Sequence, residues 1–201
     1  MTSELLNSQR QMLALIQSGL HYTKEPFERD RYEKLEQILL EQMATTTNTK
    51  VADLTAALTQ DQGYITPKVD VRALIVKNQQ ILMVQDKPTG EWSLPGGFAD
   101  VGYTPTENII REVFEETGLQ VTVQGLLDIF DTAKRTDIPQ PFQYYKMVFA
   151  CQPVAGHFAE NIETEQIAYF ALDKLPALSL NRTTKEQLTT LMARKTAITV
   201  E

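Results

Sequence analysis

The sequence predicts an α/β (α+β) protein, with a small helical segment followed by a domain built on a mixed sheet. Three observations carry this expectation. Apolar residues recur with helical spacing through roughly the first 62 positions. Beyond Pro67, β-rich runs take over. One strongly signalled helix interrupts those runs and another follows them, the pattern of helices packed on a sheet.

Leu5, Gln9, Met12, Leu13, Ile16 and Leu20 trace one helical face on which only Gln9 is polar. Pro26 suits the first turn of a second helix, where the missing N–H costs nothing, and Tyr32, Leu35, Ile38, Leu39 and Met43 share one side of it. The run Thr45-Thr46-Thr47-Asn48-Thr49 reads as a turn and cap before a short third helix through Val51, Leu54 and Leu58. After Gly63 and Pro67 the period changes, and β-rich runs at 69–76 and 81–85 flank Lys77-Asn78-Gln79-Gln80, a hairpin signal. A turn-rich stretch, 87–102, leads into a helix from Pro105 to about Glu116. Strand patterns return at 121–131, 144–151 and 167–172, and a last helix is expected over about 183–194. Two domains follow, 1–66 and 67–201, the first expected to serve packing or homodimer formation through its apolar helix faces.

Composition narrows the function classes. The 201 residues are 42% hydrophobic and 22% charged, enough for a real core and unlike a disordered chain. No apolar run approaches the roughly 18 residues of a membrane span. The opening Met1-Thr2-Ser3-Glu4 lacks a basic region followed by an apolar stretch, so no secretory signal is expected. Cys151 is the single cysteine, which excludes an internal disulfide and leaves the cytoplasm as the default address. A net charge of −7, with no basic stripe, speaks against DNA binding. The acidic surplus suits both a metal site and plain solubility.

The chemistry concentrates in Gly96-Gly97-Phe98-Ala99-Asp100-Val101-Gly102-Tyr103-Thr104-Pro105 and in Arg111-Glu112-Val113-Phe114-Glu115-Glu116-Thr117-Gly118-Leu119. Thr104 is placed to cap a helix, Pro105 fits its first position and Glu107 completes a capping box with Thr104. Gly118 stands where a left-handed residue would end that helix. Ile109, Ile110 and Val113 can bury against a sheet, while Glu112, Glu115 and Glu116, at i, i+3 and i+4, project together. Carboxylates so crowded repel, and they sit toward the negative end of the helix dipole. A divalent cation would cancel the repulsion; a charged solvent face is the alternative reading.

This segment resembles the signature of the Nudix hydrolases, G-x5-E-x7-R-E-U-x-E-E-x-G-U with U aliphatic. Gly97, Arg111, Glu112, Val113, Glu115, Glu116, Gly118 and Leu119 all match, and Trp92-Ser93-Leu94-Pro95-Gly96-Gly97 resembles the family's approach to its loop. The N-terminal helices and the segment from Tyr64 to Arg72 resemble a branch acting on nucleoside diphosphates linked to a second group, such as ADP-ribose or CDP-choline. The resemblance implies a Nudix-type mixed-sheet α/β/α sandwich and metal-dependent hydrolysis of a pyrophosphate bond. It implies Mg²⁺ or Mn²⁺ held by Glu112, Glu115 and Glu116 with the Gly97 carbonyl as a fourth ligand, and Arg111 orienting a neighbouring glutamate.

Glu163, on the turn-rich loop before the 167–172 run, is the candidate general base; the alternative is a solvated loop carboxylate. Arg72, Phe98, Lys134 and Lys146 are candidate substrate contacts, with a structural ion pair as the alternative for Arg72. Tyr103, Phe142 and Tyr144 are further aromatics that could stack a base or surround a cation. His21 and His157 show no ligand spacing, and Cys151 reads as buried packing. The signature is broken at one place, where Tyr103 stands for its first glutamate; Glu107, one turn before Arg111, or the nearby Asp100 could take part of that role. The break also opens a second reading, a domain that binds a nucleotide without cleaving it.

Overall fold

The computed structural model describes residues 2–59, 64–135, 138 and 140–194. The predicted break at Gly63 and residues 195–201 of the expected second domain lie outside the described residues. The chain divides into two compact units, Met1–Lys68 with Asp131–Tyr144, and Val69–Phe130 with Tyr145–Glu201.

In the first unit, α1 (Thr2–Tyr22), α2 (Pro26–Thr47) and α3 (Val51–Thr59) enclose a core of Leu6, Leu13, Ile16, Leu39, Leu40, Met43, Leu54 and Leu58. A 3₁₀ turn, Thr132–Lys134, belongs to the same unit. The buried stripe of α1 runs through Leu6, Gln9, Leu13 and Ile16, with spacings of three and four, so Leu6 takes the place expected for Leu5. Gln9 is buried; its Nε2 donates to Thr46 Oγ1 at 3.2 Å, while its Oε1 finds no partner among the described residues. Leu35 and Ile38 of α2, expected on the buried side, are exposed.

Thr45, Thr46 and Thr47 are helical, and the expected turn and cap fall on Asn48 and Thr49. Thr45, Thr46 and Thr47 each donate a hydroxyl to the carbonyl four residues back, which satisfies the side chains without leaving the helix. The helix stops at Asn48, which adopts the left-handed conformation and donates its N–H to the Ala44 carbonyl.

The second unit holds β1 (Lys68–Leu74), β2 (Val76–Lys77), β3 (Gln80–Asp86), β4 (Trp92–Ser93), α4 (Pro105–Thr117), β5 (Leu119–Asp131), β6 (Tyr144–Gly156), β7 (Thr164–Phe170) and α5 (Lys185–Ala193), with three of these strands starting or ending in the first unit's residues. The strands form two sheets. One has the order β1-β6-β5; in the other β3 pairs with β2, β4 and β7, each antiparallel. The hairpin turn is Asn78-Gln79, both at positive φ, the geometry that a two-residue connection between twisted strands requires.

Alternation along the strands distributes the core. Val71, Ala73, Ile75, Leu82, Phe149 and Cys151 pack with Ile109 and Val113 of α4. Their sequence neighbours Leu74, Ile81, Met83 and Val148 pack with Leu188 and Leu191 of α5. Successive strand residues face opposite ways, so α4 and α5 lie on opposite sides of the strands, which is the expected sandwich. β6 runs beyond Cys151 to Gly156, so this cysteine lies inside a strand, and burial pushes its thiol up to about 12. No helix among the described residues is long and apolar enough to cross a membrane.

Candidate active site

Local chemistry fixes α4 at both ends. Thr104 Oγ1 accepts the Glu107 N–H at 3.1 Å, and Glu107 Oε2 accepts the Thr104 N–H at 2.8 Å. Gly118 ends the helix in the left-handed conformation, its N–H donating to the Phe114 carbonyl. Ile109 and Val113 bury beneath the helix, and that rotation brings Glu112 and Glu116 against the preceding loop.

The loop is held to β1 like an added strand. Ala73 N–H donates to the Pro95 carbonyl at 2.9 Å, Val71 N–H to the Gly97 carbonyl at 2.8 Å, and Ala99 N–H to the Val69 carbonyl at 3.0 Å. Gly96 lies so close to β1 that a Cβ would meet the Val71 carbonyl oxygen at 2.0 Å, and its φ of 134° is one that only glycine adopts readily. Its N–H donates to Glu116 Oε2 at 2.7 Å. Gly97 is equally confined, because a Cβ there would meet Glu112 Oε2 at 2.6 Å. Two carboxylates are thereby pressed against two glycines.

Their protonation reflects that placement. Burial pushes Glu112 up to about 7, reinforced by Glu115, with Arg72 opposing. Burial likewise pushes Glu116 up to about 7, against the opposing Arg72 and the Gly96 N–H. Desolvated hard oxygens of this kind are what Mg²⁺ or Mn²⁺ accepts. The pair fits a divalent cation. Other parts of the expected ligand set are differently placed: the Gly97 carbonyl is engaged by Val71, and Glu115 Oε1 lies 3.4 Å from Arg111 Nη2. Among the described residues no cluster of three such ligands stands ready assembled.

Arg111 contacts two different carboxylates rather than one in bidentate fashion, since Asp100 Oδ2 lies 3.3 Å from its Nη1. The Tyr103 ring covers its guanidinium at 4.2 Å, a cation–π contact. Glu107, one of the two carboxylates considered for the role of the missing glutamate, is drawn to Thr104 by the capping box. Glu163 is exposed, and it is close enough to Glu112 to raise that group. Asn161 positions its loop: Oδ1 accepts the Glu163 and Thr164 N–H groups, and Nδ2 donates to the Glu116 carbonyl at 3.0 Å.

Arg72 and Lys146, expected as substrate contacts, are turned into the interior. Arg72 pairs with Asp70 at 2.9 Å and donates to the Leu94 carbonyl. Lys146 lies 3.7 Å from the other Asp70 oxygen and donates to the Arg182 carbonyl. A buried cation demands such partners, and the ion pair named as the alternative for Arg72 is present. Phe98 is exposed beside the loop, whereas Lys134 lies exposed on the 3₁₀ turn of the first unit, with Phe142 and Tyr144 in that same unit.

Sequence reasoning missed Asp70, Asn108 and Asn161. Asp70 and Arg72, two apart in a β-rich run, share a strand face, and that spacing was the available signal. Asn108 is a buried polar residue within an amphipathic helix, its amide holding the Asp100 backbone.

Comparison with known proteins gives matches along most of the chain. Residues 66–191 match the family model described as NUDIX domain, and residues 3–58 match one described as UDP-X-like, N-terminal oligomerisation domain. A Bacillus subtilis (strain 168) protein provisionally named an ADP-ribose pyrophosphatase is 38% identical over 186 residues, covering 92% of this chain and 89% of its own. The crystal structure of a UDP-X diphosphatase is 42% identical, with a TM-score of 0.61, and the match covers 94% of this chain and 93% of that one. That of an ADP-ribose pyrophosphatase from Streptococcus suis is 37% identical, with a TM-score of 0.60, covering 67% of this chain and 98% of that one.

Proposed function

The chain belongs to the Nudix family of hydrolases, and from that premise we propose that it hydrolyses the pyrophosphate bond of a nucleoside diphosphate linked to a second group, with the aid of a bound divalent cation. The observation that carries this reading is the desolvation of Glu112 and Glu116 against the Gly96-Gly97 loop. A binder has no need of two carboxylates held at such cost, whereas pyrophosphate hydrolysis does.

In this reading Glu112 and Glu116 hold Mg²⁺ or Mn²⁺, with Glu115 adjoining them. The cation, when bound, screens the charge of the diphosphate and acidifies water. Arg111 keeps Glu115 in place through the 3.4 Å contact. Glu163 takes a proton from the attacking water at its carboxylate oxygen, and its loop is fixed to the end of α4 by Asn161. Water adds across the P–O–P bridge, so ADP-ribose would give AMP and ribose 5-phosphate, CDP-choline would give CMP and phosphocholine, and a UDP-linked compound would give UMP and the phosphorylated partner. The names of the relatives support ADP-ribose and UDP-linked compounds as the first to try.

The helical residues 1–66 are read as the oligomerisation part and 67–201 as the hydrolase. A homodimer through α1 and α2 is supported by their exposed Leu15, Leu35 and Ile38. A cytoplasmic address suits the lone buried thiol of Cys151.

The test is direct. The purified chain is incubated with Mg²⁺ or Mn²⁺ and a panel of ADP-ribose, CDP-choline, UDP-linked sugars, NADH and diadenosine polyphosphates, and products are separated by chromatography. A metal-dependent nucleoside monophosphate from one compound supports the reading. Tight nucleotide binding with no product from any of them would replace it with the non-catalytic sensor.

A further inference from the structure

The geometry points to Asp100 as the positioning residue that stands in for the glutamate missing from the signature at Tyr103. This inference rests on the hydrolase reading above. Three contacts converge on one side chain. The Tyr103 ring lies 4.2 Å from the Arg111 guanidinium, Asp100 Oδ2 lies 3.3 Å from its Nη1 and Glu115 Oε1 lies 3.4 Å from its Nη2. The aromatic ring covers the face of the guanidinium while the two carboxylates take separate nitrogens at its edge. Tyrosine at 103 therefore keeps a hold on Arg111 without supplying a charge, and Asp100 supplies the charge.

Two further observations single out Asp100. Its backbone is tied to α4 itself: Asp100 N–H donates to Asn108 Oδ1 at 2.9 Å, and Asn108 Nδ2 donates to the Asp100 carbonyl at 3.2 Å. Asn108 is buried and also donates to the Thr104 carbonyl, so the turn carrying Asp100 is bonded directly to the helix carrying Arg111. The competing carboxylate, Glu107, is committed to Thr104, where Oε2 accepts both its N–H and its hydroxyl.

Asp100 and Glu115 are both well exposed, and exposed pairs add little to stability. What the arrangement adds is direction: an arginine fixed on one face and at two nitrogens has few rotamers left. Glu115 is the residue this direction serves, as it adjoins the two desolvated carboxylates.

The experiment compares the native chain, Asp100→Asn, Tyr103→Glu and the double variant. Turnover is read on whichever diphosphate the panel identifies, and Mn²⁺ affinity is read by calorimetry without substrate. Asp100→Asn is expected to lower kcat and Mn²⁺ affinity by about 10- to 100-fold, the usual loss when an outer-shell partner is removed. In the Tyr103→Glu background, where the signature glutamate is restored, the same substitution is expected to cost no more than about twofold. An equal loss in both backgrounds overturns the inference, as does full Mn²⁺ affinity in Asp100→Asn. A general folding defect in Asp100→Asn would appear as a lost thermal transition that Tyr103→Glu does not recover, and that also overturns it. Should the native chain cleave nothing, the hydrolase reading fails on that result, and the Mn²⁺ comparison alone decides the role of Asp100.

Discussion

Glu116 Oε2 accepts the Gly96 N–H at 2.7 Å, so the last glutamate of α4 and the glycine that crosses β1 are joined directly. Glu116→Gln keeps the size and the hydrogen-bond acceptor but removes the negative charge. Turnover is expected to fall by roughly 100-fold or more, because a neutral amide is a poor ligand for a hard cation. The metal-free fold should be unharmed or slightly more stable above pH 7, since the residue lost is one whose charged form burial disfavours. Rates and thermal unfolding measured on the same preparation check both halves. A near-native rate would remove Glu116 from the metal site.

The same desolvation gives stability a definite pH dependence. Glu112 and Glu116 each stand at about 7 in the folded chain, against an ordinary value of 4.5. Between those limits the folded state binds more protons than the unfolded state, so stability must fall as pH rises through the window. The carboxylates held low, Asp86 and Glu107, give their opposite slope mainly at and below their ordinary values of 3.8 and 4.5, so they offset little of it. The metal-free protein is therefore expected to melt at a lower temperature at pH 8 than at pH 5. Added Mg²⁺ should raise the melting temperature at pH 8 and barely change it at pH 5, where protons hold the site. A metal-free melting temperature that climbs from pH 5 to 8 would contradict the burial of this pair.

The elements legible in the sequence were those whose cause is local. Thr104, Pro105, Glu107 and Gly118 mark both ends of α4 by short-range chemistry alone, and the structure places the helix between them. Asn78-Gln79 turns where the hairpin signal lies. The first three threonines of the run misled because Thr side chains bond equally well to turn backbone and to a carbonyl one helical turn back, whereas the cap at Asn48 lies within the expected run. The partner of Lys146 was illegible for a different reason. Asp70 serves both Arg72 and Lys146, and only the pairing of β1 with β6 brings Lys146 to it. The hold of Tyr103 on Arg111 likewise depends on the path of an irregular loop, which no periodicity reports.

Glu163, the proposed base, lies on the loop before β7 rather than on α4. Its carboxylate is exposed, yet it acts on the charge of Glu112, and Asn161 ties the loop to the Glu116 carbonyl. If it accepts the proton of the attacking water, Glu163→Gln should lower kcat and abolish the acidic limb of the pH–rate profile, leaving the KM close to native. The expected loss is about 10²- to 10⁴-fold, the usual contribution of a general base. A profile of unchanged shape would assign Glu163 to solvent and leave the cation alone to activate water.

The homodimer reading concerns the first unit by itself. Leu35 and Ile38 are about half exposed on α2, three residues apart, and neither belongs to the core of Leu39, Leu40 and Met43. An apolar pair that the monomer's core does not use carries no stability there, and a self-complementary interface is where it would be buried. Leu35→Lys with Ile38→Lys is therefore expected to convert a sedimenting dimer to a monomer while helix content stays native. The lysines would face each other across a two-fold axis, where like charges repel. Sedimentation of the native chain as a monomer at micromolar concentration would refute the dimer. A dimer unaffected by the double substitution would place its interface on another face of α1 or α2.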